Sequence, residues 1–389
     1  MPLICSMTYA ASMRTSRFLS SLAAVSAAQW DDLHDNRNPF VSHAFLVGLE
    51  TCDCLRGDWG WTPCHFTLWE EDALVAAIPG YLKTNSHGEF VFDHAWANAY
   101  ARHGREYYPK WLGAVPYSPV TGPRLLARDP ALRAALLPAL VDGLAALGVS
   151  SAHINFHEPD EEPAFDRAWL LREDVQFQWQ NTGGWADFEG FLAAMSHKQR
   201  KNIRQERGKV ARQGLRFRVL HGDEATGEQI SAMYRFYLQT FIEYGNAPAL
   251  TEAFFVHLAA TLGRGLVIFL AEREGEAVAG ALCLRGGDTL YGRYWGGAAL
   301  PGLHFEACYY QGIDYCLREG LSRFEPGAQG EHKLARGFLP TRVRSRHWIA
   351  DPDFAEALAP WCEHERADVL RYEAALAAHS PFRRAADPS

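Results

Sequence analysis

The sequence contains no uninterrupted apolar run of about 18 residues, so it predicts no transmembrane segment. It also lacks a glycine-rich phosphate loop of the P-loop or dinucleotide type and a G-x-S-x-G nucleophile elbow, which argues against the enzyme classes built on these motifs. An excess of positive charge is missing as well. The formal net charge of −8 over 389 residues argues against a dedicated nucleic-acid binder.

The cysteines of the sequence do not form a recognisable metal-binding pattern. Of the eight cysteines, only Cys52, Cys54 and Cys64 lie close together, and a C-x-C step without a second pair fits no standard zinc pattern. We therefore expect reduced structural cysteines in a cytoplasmic protein and no metal site. Residues 1–17 are predicted to form a disordered leader, and a secretory signal peptide is the alternative interpretation of this stretch.

The chain has enough apolar residues to form a folded core. Hydrophobic residues make up 48% of it and charged residues 22%, and its length is typical of two domains. Each half has the predicted order helix, helix, strand meander, helix, strand. We therefore predict an α/β (α+β) fold with two similar domains, each a mixed, mostly antiparallel sheet flanked by helices. The predicted domains are residues 18–180 and 181–375, and a flexible tail is predicted at 376–389.

Several elements can be located from residue patterns alone. Three strands at 265–272, 277–284 and 289–295 are separated by glycine-containing turns and predict a meander. A helix over 161–171 and a strand over 89–92 are predicted in the first half. These assignments place the candidate functional residues on strands, helices and loops.

The densest collection of reactive side chains lies between Gly327 and Phe338. Glycines in this stretch allow tight backbone conformations and a close approach to a ligand. The catalytic candidates there are Glu331, His332 and Lys333, and the candidate substrate contacts are Gln329 and Arg336. The alternative is a polar turn before an exposed strand, on which Arg342, Arg344 and Arg346 would share one face.

A basic helix predicted over 196–213 is a second candidate site. Arg200, Arg204 and Arg207 lie on one face at helical spacing, with Lys201 next to them. Such a face attracts phosphate groups on a small molecule, a coenzyme or tRNA. A solvated basic helix without a ligand is the alternative.

Three further residues are candidates on weaker grounds. His304 follows a Gly-Gly pair near the start of a predicted helix, where it either takes part in catalysis or caps the helix. Tyr117 and Arg124 belong to a polar and aromatic stretch whose composition is compatible with lining a cleft between domains. We predict that both contact the substrate.

These segments resemble the FemAB-like branch of the GNAT (acyl-CoA N-acyltransferase) superfamily, from about Trp30 to His347. The resemblance rests on NPFVSHAFLVGLE (38–50), YYPKW…VPYSPVTGPRLL (107–126), MSHKQRKNIRQER (195–207), LHFEACYYQGIDYCLREGL (303–321) and FEPGAQGEHKLARGFLP (324–340). It implies two tandem GNAT-like domains and transfer of an acyl or aminoacyl group to an amine, with a peptidoglycan precursor as acceptor. The donor implied is acyl-CoA or aminoacyl-tRNA, with no tightly bound cofactor. The usual coenzyme-A loop, Q/R-x-x-G-x-G/A before a helix, has no match after Trp295, which weakens the case for acetyl-CoA.

Attack by an amine on an ester or thioester needs a neutral nucleophile, a stabilised oxyanion and a proton for the leaving group. We assign Glu331 or His332 as the base and Lys333 with Arg336 as electrostatic stabilisers, while the basic helix holds a phosphate-bearing small-molecule or peptide substrate. Two alternatives stay open. One is a non-catalytic module that binds phosphorylated cell-wall precursors, and the other is a protein associated with tRNA or other RNA. The sequence leaves the oligomeric state open.

Overall fold

The computed structural model describes residues 14–328 and 330–383. The strands are β1 (Arg14–Leu19), β2 (Trp61–Pro63), β3 (His65–Glu70), β4 (Ala73–Ile78), β5 (Gly80–Lys83), β6 (Lys110–Gly113), β7 (Leu126–Ala127), β8 (Ser151–Asn155), β9 (Trp169–Gln180), β10 (Arg216–His221), β11 (Leu266–Arg273), β12 (Glu276–Gly286), β13 (Thr289–Gly297), β14 (Arg323–Glu325) and β15 (Leu339–Ile349). The helices are α1 (Ala27–Asp31), α2 (His43–Thr51), α3 (His94–Arg102), α4 (Pro130–Leu144), α5 (Phe188–Ala194), α6 (His197–Ala211), α7 (Gly227–Glu243), α8 (Glu252–Leu262), α9 (Leu303–Phe305), α10 (Gln311–Glu319) and α11 (Pro352–Ala377).

The described strands form one small sheet and one large one. The small sheet has the order β1-β3-β4-β7, and the large sheet has the order β10-β11-β12-β13-β14-β9-β15-β8-β6-β5-β2. Among these described strands, the parallel pairs are β13 with β14 and β6 with β8. The predicted fold class, α/β with mixed and mostly antiparallel sheets flanked by helices, is confirmed.

The large sheet is continuous across the middle of the chain. β9 pairs with β14 on one side and with β15 on the other. β15 also pairs with β8, so a strand from the end of the sequence lies between two strands of the first half. The division into 18–180 and 181–375 stays a prediction, but hydrogen bonds of the sheet cross that boundary.

Both predicted chain ends need correction within the described residues. β1 begins at Arg14 and pairs with β3, so residues 14–17 belong to a sheet and not to a disordered leader, while residues 1–13 lie outside the description. The predicted tail is also shorter, because α11 continues to Ala377. After it, the Phe382 ring stacks on Trp185 with a centroid distance of 5.6 Å. Residues 384–389 lie outside the description.

The predicted meander is confirmed as β11, β12 and β13, whereas two other predicted elements are wrong. In place of a helix over 161–171, a short 3-10 turn spans Pro159–Ala164 and β9 follows. The carboxylate of Glu161 in that turn accepts hydrogen bonds from the backbone N–H groups of Arg124 and Leu125. The segment 89–92 is not a strand, since Phe90 has a φ of 61°, which is incompatible with extended backbone.

One helix among the described residues, Pro130–Leu147, is long and apolar enough by composition to cross a bilayer. Its buried residues are Leu132, Leu136, Leu137, Leu140 and Leu144, and they belong to a core cluster shared with β3, β4 and β8. These residues recur at helical spacing, so one face of the helix packs on the core. The expectation that no helix spans a membrane stays a prediction.

Candidate active site

A cleft of about 830 Å³ opens between the first and second halves of the chain. Its aromatic lining consists of Trp59, Trp61, Phe90, Tyr117, Tyr237, Phe241, Tyr294 and Trp295. Its polar lining consists of Asp58, Asn85, His87, Thr240, Asn246 and Arg293. Mostly apolar walls with a few polar groups are typical of a small-molecule site. The structure therefore places Tyr117 in a cleft between the halves, where the sequence predicts it.

Part of the cleft lies where two parallel strands separate. β13 and β14 pair over three residues each, and the last pair is Tyr291 with Glu325. The pairing of the two strands ends at this pair, and Gly327 has a φ of 100°, a conformation that favours glycine. The residues that line the cleft beyond the last pair are Arg293, Tyr294 and Trp295 on β13, and Gly327 and Ala328 after β14. Strand separation thus provides room for a ligand between elements that are themselves held in a sheet.

A β-bulge in β13 adds Arg293 to the cleft wall. In the pairing with β12, the two neighbours of Arg293 oppose the consecutive residues Leu282 and Cys283, so Arg293 is the extra residue. Bulges bend a strand and redirect its side chains, and they are common next to active sites. One terminal nitrogen of Arg293, Nη2, donates a hydrogen bond of 2.9 Å to the carbonyl of Tyr117. Its buried Nε has no hydrogen-bond partner among the described residues.

Glu325, the last residue of β14, is a buried acid at the same point. Glu325 is only 5% exposed, and its Oε2 accepts no hydrogen bond from any described residue. Burial raises the pKa of Glu325 to about 7, against the opposite effect of the charges on Arg323 and Arg293. A carboxyl group with such a pKa exchanges its proton near neutral pH. The sequence gives no sign of this, because nothing in the residues around Glu325 indicates that it is buried.

Lys333, predicted as an electrostatic stabiliser, does not line the cleft but contacts the loop that does. Lys333 is 3% exposed, and its Nζ donates a hydrogen bond of 2.7 Å to the carbonyl of Gly327. Burial lowers the pKa of Lys333 to about 8. Because Gly327 lines the cleft and Lys333 does not, the lysine positions the loop in this structure. Gln329, the other predicted contact in this loop, lies outside the described residues.

A side groove of about 240 Å³ adjoins the cleft, and both spaces are lined by Phe90, Pro119 and Ala328. Glu331 lines this groove, and its Oε1 accepts a hydrogen bond of 2.6 Å from the hydroxyl of Tyr372. Glu331 therefore lies beside the cleft, and α11 supplies its partner.

The two predicted catalytic histidines lie close to one another, on either side of Tyr309. A hydrogen bond of 2.9 Å joins Nε2 of His332 to the hydroxyl of Tyr309. The ring of His304 packs edge-on against Trp295, which lines the cleft. Burial lowers the pKa of both imidazoles, that of His304 to about 4, so both are neutral at pH 7. Neither histidine is among the described residues that line the cleft.

Arg207 and Arg336, two predicted substrate contacts, are engaged in ion pairs within the protein. Arg207 pairs with Glu306 at 3.0 Å, and Arg336 pairs with Glu206 at 2.9 Å. The guanidinium of Arg336 also lies 3.6 Å from the ring centroid of Phe305. These contacts dock α6 onto the helix that follows β13 and onto the predicted catalytic loop.

The outer face of α6 forms a separate basic groove of about 380 Å³. It is lined by His197, Arg200, Lys201, Arg204, Gln205 and Arg212. Arg204 also pairs with the exposed Glu189, whereas Arg207 faces the protein. The groove is therefore suited to an anion, and it shares no lining residue with the aromatic cleft.

The prediction that Arg124 binds substrate is wrong. Arg124 has no exposed surface, and its guanidinium donates hydrogen bonds to the carbonyls of Val120, Pro123 and Asn155. The alternating arginines on β15 are engaged in ion pairs with other residues of the protein, although Arg342 is exposed. Their ion pairs are Arg342 with Glu373, Arg344 with Glu173 and Arg346 with Glu162.

A buried charge network, which the sequence does not predict, supports one side of the cleft. Residues 84–93, which we call the arch, bring Asn85, His87 and Phe90 to the cleft. Nζ of Lys110 donates a hydrogen bond of 2.7 Å to Glu89 and another to Asp93, and these side chains are nearly inaccessible. A lysine at the start of an apolar strand was the available signal, but the sequence could not identify its partners.

Lys83 gives the arch a second buried contact. Its Nζ donates a hydrogen bond of 3.2 Å to the carbonyl of His87 and lies 3.8 Å from the ring centroid of Trp61. Burial lowers the pKa of Lys83 to about 7. Both lysines are inaccessible to solvent, so they position the arch and the rings that line the cleft.

Residues 21–384 match a protein family described as FemAB-like, peptidoglycan biosynthesis/recognition. No curated protein matches the sequence at a significant level. Three similar solved structures are each 10% identical in sequence. FemX has a TM-score of 0.49 and covers 86% of this chain and 98% of its own. The L-PGS of Bacillus licheniformis has a TM-score of 0.48, with 80% and 87% covered. A tandem GNAT protein from the clavulanic acid biosynthesis pathway has a TM-score of 0.41, with 87% and 99% covered.

Proposed function

Because the chain belongs to the FemAB-like family, as its motifs indicate, we propose that it is an N-acyltransferase acting on an amine of a peptidoglycan precursor. The group transferred is an acyl or aminoacyl group. The observation on which this proposal rests is the aromatic cleft of about 830 Å³ at the point where β13 and β14 separate. Ligands commonly bind in crevices at the ends of strands that diverge within a sheet.

The acceptor occupies the cleft in this proposal. Indole and phenol rings pack well on the apolar faces of amino sugars and short side chains, and the cleft offers many such rings. The amides of Asn85 and Asn246 supply directional hydrogen bonds for the acetamido and peptide groups. The side groove at Glu331 lets a longer acceptor extend beyond the cleft.

The donor is an acyl-CoA or an aminoacyl-tRNA, and it is not a tightly bound cofactor. Both donors carry phosphates, and the groove on α6 offers the guanidinium groups of Arg200, Arg204 and Arg212 together with the ammonium of Lys201. Because the groove and the cleft share no lining residue, donor phosphates and acceptor contact separate surfaces.

In the reaction, the acceptor amine attacks the carbonyl carbon of the donor. A C–N bond forms and the C–O or C–S bond to the donor breaks, while the amine proton passes through a base to the leaving oxygen or sulfur. Glu331 and His332 are our candidates for the base. Lys333 and Arg336 act by positioning the loop between β14 and β15 and by lending it positive charge.

One observation favours a second candidate function, a non-catalytic module that binds cell-wall precursors. Every described member of the predicted catalytic loop already has an internal partner: Glu331 with Tyr372, His332 with Tyr309, Lys333 with Gly327 and Arg336 with Glu206. Such a module would bind in the same cleft without producing a new bond.

A thermal-shift panel combined with mass spectrometry separates these functions. The panel contains acetyl-CoA, longer acyl-CoAs, an aminoacyl-tRNA and a UDP-linked muramyl peptide, and a ligand at 100 times its Kd should add about 2.7 kcal/mol of stability. We expect shifts with one donor and with the muramyl peptide, and an acceptor product whose mass is increased by the acyl group. Binding of the precursor without product would support the binding module.

Variants then test the base. Glu331→Ala and His332→Ala are compared with Glu363→Ala, which changes an exposed acid on α11. We expect a loss of transfer of about 100-fold for the residue that acts as the base, and little change for the control. Undiminished transfer in both loop variants would remove both residues from the mechanism.

A further inference from the structure

We infer that Arg293 binds a carboxylate of the ligand in the cleft, and that Glu325 controls this binding by gaining or losing a proton. The inference rests on the proposed function, because the ligand class used to test it is a muramyl peptide. It adds to that function the group that selects the ligand and a dependence on pH.

Arg293 is placed and equipped to bind an anion. Among the described residues that line the cleft, it is the only lysine or arginine. Its guanidinium carbon lies 5.6 Å from the ring centroids of both Phe40 and Tyr294, so aromatic rings fix its orientation. The hydrogen bond to the carbonyl of Tyr117 uses one of its five N–H groups. The planar guanidinium therefore retains donors for a carboxylate, which it binds in a two-pronged geometry.

The bulge in β13 brings Arg293 to the cleft wall. In a regular strand, alternate side chains point to opposite faces, so consecutive residues would not all line one cleft. The extra residue in β13 allows Arg293, Tyr294 and Trp295 to do so. A charged group is thereby introduced among aromatic rings, whose low polarity strengthens a charge-assisted hydrogen bond.

Glu325 is the acid whose charge competes with the ligand, because it pairs with Tyr291, two residues before Arg293 on β13, and its buried Oε2 has no hydrogen-bond partner among the described residues. The charged and titratable groups around it are Arg323, Arg293, Glu158, Arg124 and Tyr291. Since burial raises the pKa of Glu325 to about 7, it is largely neutral at pH 6 and largely ionised at pH 8. When Glu325 is neutral, the positive charge of Arg293 is available to attract the ligand carboxylate. In the ionised form it offsets that charge and repels the ligand carboxylate.

The test uses the tryptophans of the cleft as the signal, because Trp59, Trp61 and Trp295 all line it. The intact protein is titrated at pH 6 with N-acetylmuramyl-L-alanyl-D-isoglutamine and with the same compound after its carboxylate is converted to an amide. We expect the acid to bind about 30-fold more tightly than the amide, as for a hydrogen bond between charged groups.

The Arg293→Met variant should bind both compounds with the weak affinity of the amide, and Arg293→Lys should recover only part of the difference. Arg218→Met is the matched control, since it removes a cation from the same sheet that pairs with Glu272 outside the cleft. Melting temperatures show whether each variant is folded.

The pH arm tests Glu325 separately. Binding of the acid to the unmodified protein should weaken by about 10-fold from pH 6 to pH 8, because ionisation of Glu325 and ligand binding are linked. In Glu325→Gln most of this dependence on pH should be lost, and any remainder comes from other groups near the cleft that titrate in this range, such as Lys83. A purely structural role of Glu325 would change the melting temperature but leave the pH dependence in place.

The outcomes distinguish the inference from the proposed function. Equal binding of acid and amide would overturn the role of Arg293 while leaving the cleft as a muramyl-peptide site. The same pH dependence in Glu325→Gln as in the unmodified protein would overturn the role of Glu325. Failure of both compounds to bind would overturn the inference together with the assignment of the cleft to muramyl peptides.

Discussion

Lys110 is the residue on which the arch most depends. It is inaccessible to solvent and lies between Glu89 and Asp93, which are also buried. Removing one partner from a buried ion cluster leaves an uncompensated charge, which usually costs about 3–5 kcal/mol. We therefore expect Lys110→Met to lower the free energy of unfolding by that amount, as measured by urea denaturation.

Lys201→Met serves as the comparison for this prediction, because Lys201 is exposed on α6. Its unfolding free energy should stay within about 0.5 kcal/mol of the parent protein. Equal stabilities of the two variants would show that the arch does not rely on Lys110.

Single residues also show where sequence interpretation reaches its limit. The sequence predicts that Tyr117 lies in the cleft, because aromatic and polar residues concentrate around it. Arg124 belongs to the same stretch, yet it bonds to backbone carbonyls and has no exposed surface. The two residues lie in one stretch of polar and aromatic composition. Only the path of the folded chain decides that Tyr117 lines the cleft and that Arg124 is buried.

At the scale of elements, α6 offers a prediction about anion binding. The triple variant Arg200→Gln, Lys201→Gln, Arg204→Gln removes the centre of the basic groove but no buried contact. We expect binding of coenzyme A, used as a polyphosphate probe, to fall and its dependence on salt to become flatter, since fewer cations contact phosphate. Isothermal calorimetry at several salt concentrations measures both.

Arg207→Gln is the contrasting change on the same helix. Arg207 pairs with the buried Glu306, so its loss should lower the melting temperature and leave the salt dependence of binding unchanged. A triple variant that binds coenzyme A as tightly as the parent protein would rule out the groove as the phosphate site.

Several regular elements could be predicted from the sequence, whereas the irregular ones could not. The meander of β11, β12 and β13 follows from apolar runs separated by turns, and α6 follows from its narrow apolar stripe. The bulge at Arg293 depends on how β13 pairs with β12, which no local pattern contains. Residues 89–92 of the arch are predicted as a strand because their aromatic and β-branched residues favour one, while the buried ion pairs of the arch hold them in another conformation.

At the scale of the whole molecule, the continuous sheet predicts that the halves do not fold separately. A fragment ending at Gln180 would lack β14 and β15, so β9 would lose its partners on both sides and β8 its partner on one. We expect a fragment of residues 14–180 to show no cooperative thermal transition by circular dichroism, because unpaired strand edges are exposed.

The full chain should unfold in one step, with equal calorimetric and van't Hoff enthalpies. Two separate transitions, or a cooperative transition in the fragment, would contradict this expectation. The mixed, mostly antiparallel sheets flanked by helices could be predicted from the sequence. The insertion of β15 between β8 and β9 could not, because strand partners far apart in the chain leave no local signal.

The position of β15 also sets a waiting time during synthesis on the ribosome. Asn155 ends β8, and the strand that pairs with it is complete only when Ile349 has been made. At about 5 to 20 residues per second, that delay is roughly 10 to 40 s. Throughout it, the nascent first half exposes the edge of β8, so chaperones that hold unpaired strands have their main opportunity before translation ends.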